Sequence, residues 1–253
     1  VTLKLSYAGG SEQGRVRKQN EDRWAADAAQ GLFLISDGMG GHSAGALASR
    51  IVVETMPELI RARVTARTHS LDDSVVRTVC ESVCDLCSTL LEQTKHEPGL
   101  EGMGATLVML LIRGEQLLVV HLGDSRAYLL RQGRLRRLTN DHTLLQLLLD
   151  RQEIDATQAA RHPARGRLTQ YVGMTDTPLP EARLVKIRPD DRLLLCSDGL
   201  TGMIEDEEIL EILRKQLSLR KTCDELILAA NAVGGTDNIT ALVIDAAGSK
   251  KVT

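Results

Sequence analysis

The sequence predicts an α+β fold, a four-layer α-β-β-α sandwich of two antiparallel sheets flanked by helices. Three observations carry that prediction. Short apolar runs of strand length recur along the chain, neighbouring runs are joined by tight turns, and stretches of helical periodicity come in pairs. Continuous or alternating apolar residues mark strands at 3–8, 32–36, 106–112, 117–122 and 127–130. Further strands follow at 182–187, 192–196 and 239–244. The tract Arg113-Gly114-Glu115-Gln116 closes one hairpin and Arg131-Gln132-Gly133-Arg134 another. Consecutive hairpins favour antiparallel pairing over a doubly wound parallel sheet.

Helical spacing runs through residues 44–61 and 71–95, between the early strands. A further helical region, 144–160, carries Leu144, Leu145, Leu147, Leu148 and Leu149. Near the end, Ile209, Leu210, Ile212, Leu213 and Leu217 trace one apolar stripe, and Leu226, Ile227 and Ala230 another. The simplest packing places two sheets face to face with a helix pair outside each. No repeat, low-complexity tract or linker interrupts residues 1–253, which read as one domain. Residues 140–173 break the strand pattern and end in Arg161, His162, Arg165 and Arg167. They read as a flap beside the site, with a solvated helical excursion as the alternative.

Composition excludes several classes of function. With 253 residues, 43% hydrophobic and 26% charged, the chain can bury a sizeable core. Its 31 basic and 34 acidic residues leave a net charge of −3, so no global field points to nucleic acid or an anionic membrane. One Trp, three Tyr and one Phe leave little to stack on bases. Lys4, Glu12 and Arg15 stand where a signal peptide needs an apolar core, and the longest apolar runs are too short to span a bilayer. The chain begins at Val1 rather than Met, which leaves open its being trimmed from a longer protein. Of five cysteines, Cys80, Cys84 and Cys87 fall at helical spacing without paired C-x-x-C and His partners. They read as small buried hydrophobes in a reducing, cytoplasmic compartment.

Four acidic turns stand out: RKQNED (residues 17–22), DGMGGH (37–42), SDG (197–199) and GGTDN (234–238). Asp37, Asp198 and Asp237 each follow or adjoin an apolar strand. Carboxylates at strand ends beside glycines can converge on one point without steric cost. Their oxygens are the ligands that hard cations such as Mg²⁺ and Mn²⁺ prefer. No Cys has an Arg six residues on, so the loop of a cysteine-based phosphate hydrolase is missing.

Taken in order, RKQNED, DGMGGHSAGALAS, GMGATL, GDSRAYLL, LTNDHT, HPARGRLT, SDGL and GGTDNIT resemble the successive motifs of the metal-dependent protein phosphatase (PPM) family. These are the protein phosphatases of type 2C, and the resemblance is to the compact bacterial branch. It implies a binuclear Mn²⁺ or Mg²⁺ centre, with a third, weaker ion. It also implies hydrolysis of phosphoserine and phosphothreonine in proteins, in opposition to kinases, by a hydroxide bridging the two metals. By the same resemblance Asp37 bridges both ions, and the Gly38 carbonyl completes the second. Asp198 and Asp237 hold the first, while Glu21 and Asp22 support the centre partly through water. Arg17 grips the substrate phosphate, where its planar fork suits two parallel charge-assisted hydrogen bonds. Asp124 shares the third ion with Asp198. The implied protein is a monomer whose partners are phosphorylated proteins, kinases and their substrates among them.

Several positions depart from the pattern. Met39 stands where eukaryotic relatives place a histidine and has no proton to give. That leaves metal-bound water as the preferred proton source, and His42 reads as structural. Ala105 replaces a usual threonine, and Gly202 a carboxylate found in some relatives. His142 and His162 match the borders of the flap and read as hydrogen-bonded structural residues. Arg131, Arg134, Arg136 and Arg137 form a basic hairpin, read as solvated before it is read as a docking surface. Two rival readings are a phosphoprotein-binding module that has lost turnover and a metal-dependent phosphodiesterase.

Overall fold

The computed structural model describes residues 3–40, 43–65, 70–96, 99–100, 102–159, 162–164 and 166–248. His42, Arg161 and Arg165 lie outside them. The strands in chain order are β1 (Leu3–Glu12), β2 (Asp22–Asp27), β3 (Leu32–Met39), β4 (Gly104–Ala105), β5 (Leu107–Arg113) and β6 (Gln116–Leu122). Then come β7 (Arg126–Arg131), β8 (Arg134–Arg137), β9 (Glu181–Lys186), β10 (Asp191–Cys196) and β11 (Ile239–Gly248). The helices are α1 (Ser43–Arg63), α2 (Asp73–His96), α3 (Leu144–Asp150), α4 (Ala156–Ala159), α5 (Asp198–Thr201), α6 (Asp206–Arg214) and α7 (Leu219–Ala232).

One sheet has the strand order β1-β11-β10-β7-β8, the other β2-β3-β5-β6-β9, with β4 paired to the end of β3. All these pairings are antiparallel. Both faces of the central strands are apolar, and the two-residue period sorts their side chains into separate layers. Leu32 and Leu34 of β3, with Leu107, Met109 and Leu111 of β5, meet Val52, Met56 and Ile60 of α1 and Val83, Leu86 and Leu90 of α2. The intervening residues Phe33, Ile35, Val108 and Leu110 turn the other way, onto Leu193, Leu195, Leu242 and Ile244 of the opposite sheet. Leu194, Cys196, Ala241 and Val243 face outward again, onto Ile209, Leu213, Leu226 and Ala230 of α6 and α7. Three apolar layers between four layers of secondary structure are the α-β-β-α sandwich expected from the sequence.

Sequence reading and structure part at the polar elements. β2 (DRWAAD) and β8 (RLRR) have no apolar alternation, and ladders to β3 and β7 make them strands. The helical region 144–160 is broken. α3 stops at Asp150, Gln152 takes φ 57°, and the Asp155 carboxylate accepts the N–H groups of Thr157 and Gln158 to start α4 afresh. Leu217 lies beyond α6, which ends at Arg214. Cys80, Cys84 and Cys87 do share α2, but only Cys87 is fully buried. Among the described residues no helix is long and apolar enough to cross a membrane.

Candidate metal centre

The acidic turns meet at one end of the sandwich, around a cavity of about 530 Å³ lined by Glu21, Asp37, Asp124, Asp198 and Asp237, with Arg17 at its rim. Both sheets contribute. Asp37 sits near the end of β3, directly opposite Asp22 of β2 in the ladder. Asp124 occupies the turn from β6 to β7, Asp198 opens α5 after β10, and Asp237 precedes β11. Gly38 lets α1 close over this end of β3, because a Cβ there would lie 1.9 Å from the Gly45 carbonyl oxygen.

Asp22 is fully buried behind Asp37 and does not itself line the cavity. Its Oδ2 accepts hydrogen bonds from Ser197 Oγ and Thr240 Oγ1, each at 2.7 Å. Its Oδ1 has no partner, and neither has Asp198 Oδ1. Burial pushes the Asp22 carboxyl up to about 6. Burial raises Asp37 well above the ordinary carboxylate range, and the charges of Asp22, Asp198 and Asp124 add to the rise. Asp124 is raised by burial and then by Asp198, and Asp198 by burial and then by Asp237. Clustered carboxylates with oxygens lacking donors are costly unless positive charge reaches them. A hard divalent cation, which takes carboxylate oxygens, carbonyls and water, fits that donor set.

Asp237 differs from the other aspartates because both of its oxygens are engaged. Oδ1 accepts the Asn238 N–H at 2.8 Å, and Oδ2 accepts Arg17 Nη2 at 2.6 Å. That hydrogen bond raises the Arg17 guanidinium further still. Glu21 is held by its backbone: its N–H donates to Asn238 Oδ1, and its carbonyl accepts from Gly38 N–H and Ser49 Oγ.

A supporting shell of hydroxyls and an amide carries no role in the sequence reading. Thr106 Oγ1 accepts the Asp37 N–H at 3.0 Å and lies 2.7 Å from Ser125 Oγ, while the Thr106 N–H donates to the Asp37 carbonyl at 2.8 Å. Besides Glu21, Asn238 binds the carbonyls of Gln13 and Gln19 at 2.9 and 2.8 Å, on either side of Arg17. The signal was present in GMGATL, SDG and GGTDNIT, but nothing local marks these side chains as partners of distant aspartates.

Other sequence candidates are placed as follows. Met39 packs against Gly104, beside Tyr171, at the cavity wall. In the basic hairpin, Arg131 turns inward to the buried Asp191 and Arg137 to Asp141, so half of its charge is internally paired. Residues 140–173 are pinned at both ends: Thr143 bridges Leu168, Ala105 bridges Val172, and Gly166 and Leu168 line the cavity. His162 Nδ1 accepts the Ala164 N–H at 3.2 Å within this segment.

A family model described as Protein phosphatase 2C matches residues 10–243. The chain is 39% identical over 245 residues to the serine/threonine protein phosphatase PstP of Mycobacterium tuberculosis, covering 97% of this chain and 46% of that protein. It therefore spans about half the length of that relative. It is 34% identical over 238 residues to the serine/threonine phosphatase stp of Listeria welshimeri, covering 93% of each. A crystal structure of the PstP catalytic domain with 2 manganese ions superposes with a TM-score of 0.84 at 36% identity, over 98% of this chain and 100% of that one.

Proposed function

Because the chain belongs to the protein phosphatase 2C family, we propose that it is a metal-dependent protein serine/threonine phosphatase that opposes protein kinases. The observation that carries the reading is the convergence of Asp37, Asp124, Asp198, Asp237 and Glu21 on one cavity beside Arg17, with buried carboxylate oxygens that no protein donor satisfies. Asp37, Asp198 and Asp237 would hold Mn²⁺ or Mg²⁺, with the Gly38 carbonyl, Glu21 and Asp22 in support and Asp124 at a weaker third site. A pair of such ions supplies, when bound, acidified water and a clamp for phosphoryl oxygens. The manganese-bearing PstP domain supports the choice of ion.

The chain's own residues do the rest. Arg17 is held by Asp237 through one nitrogen, which leaves its other N–H groups for phosphate oxygens at the mouth of the cavity. Asn238 fixes the backbone on both sides of Arg17, so the guanidinium is aimed before substrate arrives. No histidine lines the cavity among the described residues, and Met39 donates no proton. The proton for the leaving hydroxyl is thus left to water. The Leu168 end of residues 140–173 walls the cavity and suits the role of a flap over the phosphopeptide, all within one catalytic domain. We assign the activity to a monomer acting on phosphorylated proteins in a reducing, cytoplasmic setting, which its free cysteines support.

Phosphate release from a phosphothreonine peptide, with Mn²⁺ and with excess chelator, tests the reading in wild type and Asp198→Ala. Metal-dependent release that the variant loses is expected. Release that survives chelation, or survives in Asp198→Ala, refutes the assignment. No release with any divalent metal turns the reading to a phosphoprotein-binding module.

A further inference from the structure

His121 of β6, His142 at the start of the 140–173 segment and Glu181 of β9 form a group that does not line the carboxylate cavity. One ligand atom from each lies within 4.8 Å of the others, a spacing that invites a chelated cation. The hydrogen bonds assign the group otherwise. His142 Nδ1 accepts the backbone N–H of Gly123 at 3.3 Å, so its proton sits on Nε2, which faces Glu181 Oε2 at 3.9 Å. His121 Nε2 lies 2.7 Å from the Asn140 carbonyl and carries its proton there too. The rings stack with centroids 4.5 Å apart and planes inclined by 22°. Two protonated Nε2 atoms on stacked rings do not aim two lone pairs at one ion.

What the group holds is backbone. The His142 N–H donates to the Gly123 carbonyl at 3.0 Å, so His142 and Gly123 are tied by two reciprocal hydrogen bonds. Gly123 immediately precedes Asp124. It takes φ 118°, and a Cβ there would meet Thr106 Cγ2 at 2.7 Å, so this turn has one narrow place to sit. The His142 carbonyl accepts the Thr169 N–H at 2.8 Å, and Leu144 N–H donates to the Arg167 carbonyl at 2.8 Å. Between those two anchors lies Leu168, at the cavity wall. Burial, then the neighbouring His121, lowers His142 to about 4, which keeps the Nδ1 lone pair available.

We propose that His142 is a positioning residue that locks the Asp124 turn and both ends of the flap to one another, with His121 and Glu181 holding its ring so that Nδ1 faces Gly123. The proposal rests on reading Asp124 as a ligand of the weaker metal site. Partners that orient a ligand in this way typically change metal affinity by about 10–100-fold when lost.

The test is Mn²⁺ binding by calorimetry, alongside Mn²⁺ titration of peptide dephosphorylation, for wild type, His142→Ala, His142→Asn and His142→Gln. Asn sets its amide oxygen where Nδ1 stands, and Gln extends past it toward Nε2. His142→Ala and His142→Gln are expected to weaken the weakest Mn²⁺ site about tenfold, and His142→Asn to recover most of the loss. In an Asp124→Asn background, His142→Ala should add nothing further at that site. Unchanged Mn²⁺ dependence in the Ala and Gln variants, failure of Asn to recover, or an undiminished loss in the Asp124→Asn background overturns the proposal. Should the His142 variants not fold, Glu181→Gln decides: a smaller loss in the same direction is expected, and none overturns it. Wild-type protein that binds no Mn²⁺ sinks the metal-centre reading itself, whereas binding that the variants leave untouched sinks only the role of His142.

Discussion

Asn238→Ala tests how rigidly the rim of the cavity is built. The side chain is 4% exposed and makes three hydrogen bonds, accepting the Glu21 N–H at 2.8 Å and donating to the carbonyls of Gln13 and Gln19 at 2.9 and 2.8 Å. Truncation leaves one backbone donor and two backbone acceptors without their partner. Each deserted buried group costs about 1–3 kcal/mol. Water entering from the adjoining cavity relieves part of this, so a net loss of about 3 kcal/mol is expected. In a chain of this size that lowers the melting temperature by about 6–12 °C. The same bonds fix the loop carrying Arg17, so KM for a phosphopeptide should rise while kcat, set deeper in the cavity, changes less. Thermal melts and steady-state kinetics on one protein preparation read both effects. A variant melting within about 2 °C of wild type, or one losing kcat at constant KM, would refute the argument that this amide organises the Arg17 loop.

Arg17→Lys keeps the charge and loses the fork, so phosphopeptide KM should rise about 10–100-fold, in line with about 1.5–3 kcal/mol for a charge-assisted bond; unchanged KM would remove Arg17 from phosphate binding. Asp198→Asn removes a carboxylate that burial and Asp237 disfavour, raising its pKa, so in chelator its melting temperature should exceed that of wild type while turnover is abolished. A destabilised Asn variant would mean that the cluster is not under electrostatic strain. Asp22, raised to about 6 chiefly by burial, holds a proton in the fold at pH values where the unfolded chain has lost it. Its stabilising contribution is therefore complete below the ordinary carboxylate range and lost as pH rises through about 6. The advantage of Asp22→Asn over wild type in chelator should widen over that interval, and an advantage independent of pH would contradict the raised pKa. Gly38→Ala should cost most of the activity, since its Cβ would lie 1.9 Å from the Gly45 carbonyl, and full activity would show that α1 can yield there.

The parts of this protein that can be read from sequence are those whose cause is local. Phe33, Leu34 and Ile35 announce a strand because burial on two faces leaves no room for polar residues. Asp37, Asp198 and Asp237 are visible because each sits beside such a strand in a glycine-bearing turn. β2 is invisible because Asp22-Arg23-Trp24 becomes a strand only through its ladder to β3. The Thr240 hydroxyl is an unremarkable strand residue until it is found 2.7 Å from an aspartate 218 positions away. The Arg17–Asp237 ion pair spans 220 positions in the same way. Residues 144–160 read as one helical region for a local reason, since the leucine run outweighs the capping carboxylate of Asp155 that restarts the helix.

The carboxylates come from both halves of the sandwich: Asp22 and Asp37 belong to the sheet that carries α1 and α2, and Asp198 and Asp237 flank β10 and β11 of the other. The layer of Phe33, Leu110, Leu195 and Leu242 between the sheets has no directional bonds of its own, so at this edge registry rests on the hydrogen bonds from Ser197 and Thr240 to Asp22 and from Glu21 to Asn238. An ion ligated as proposed would add a rivet to these bonds, at one edge of two greased plates. Bound metal would then set mechanical registry as well, and its removal would loosen the alignment of the two halves together with the proposed chemistry.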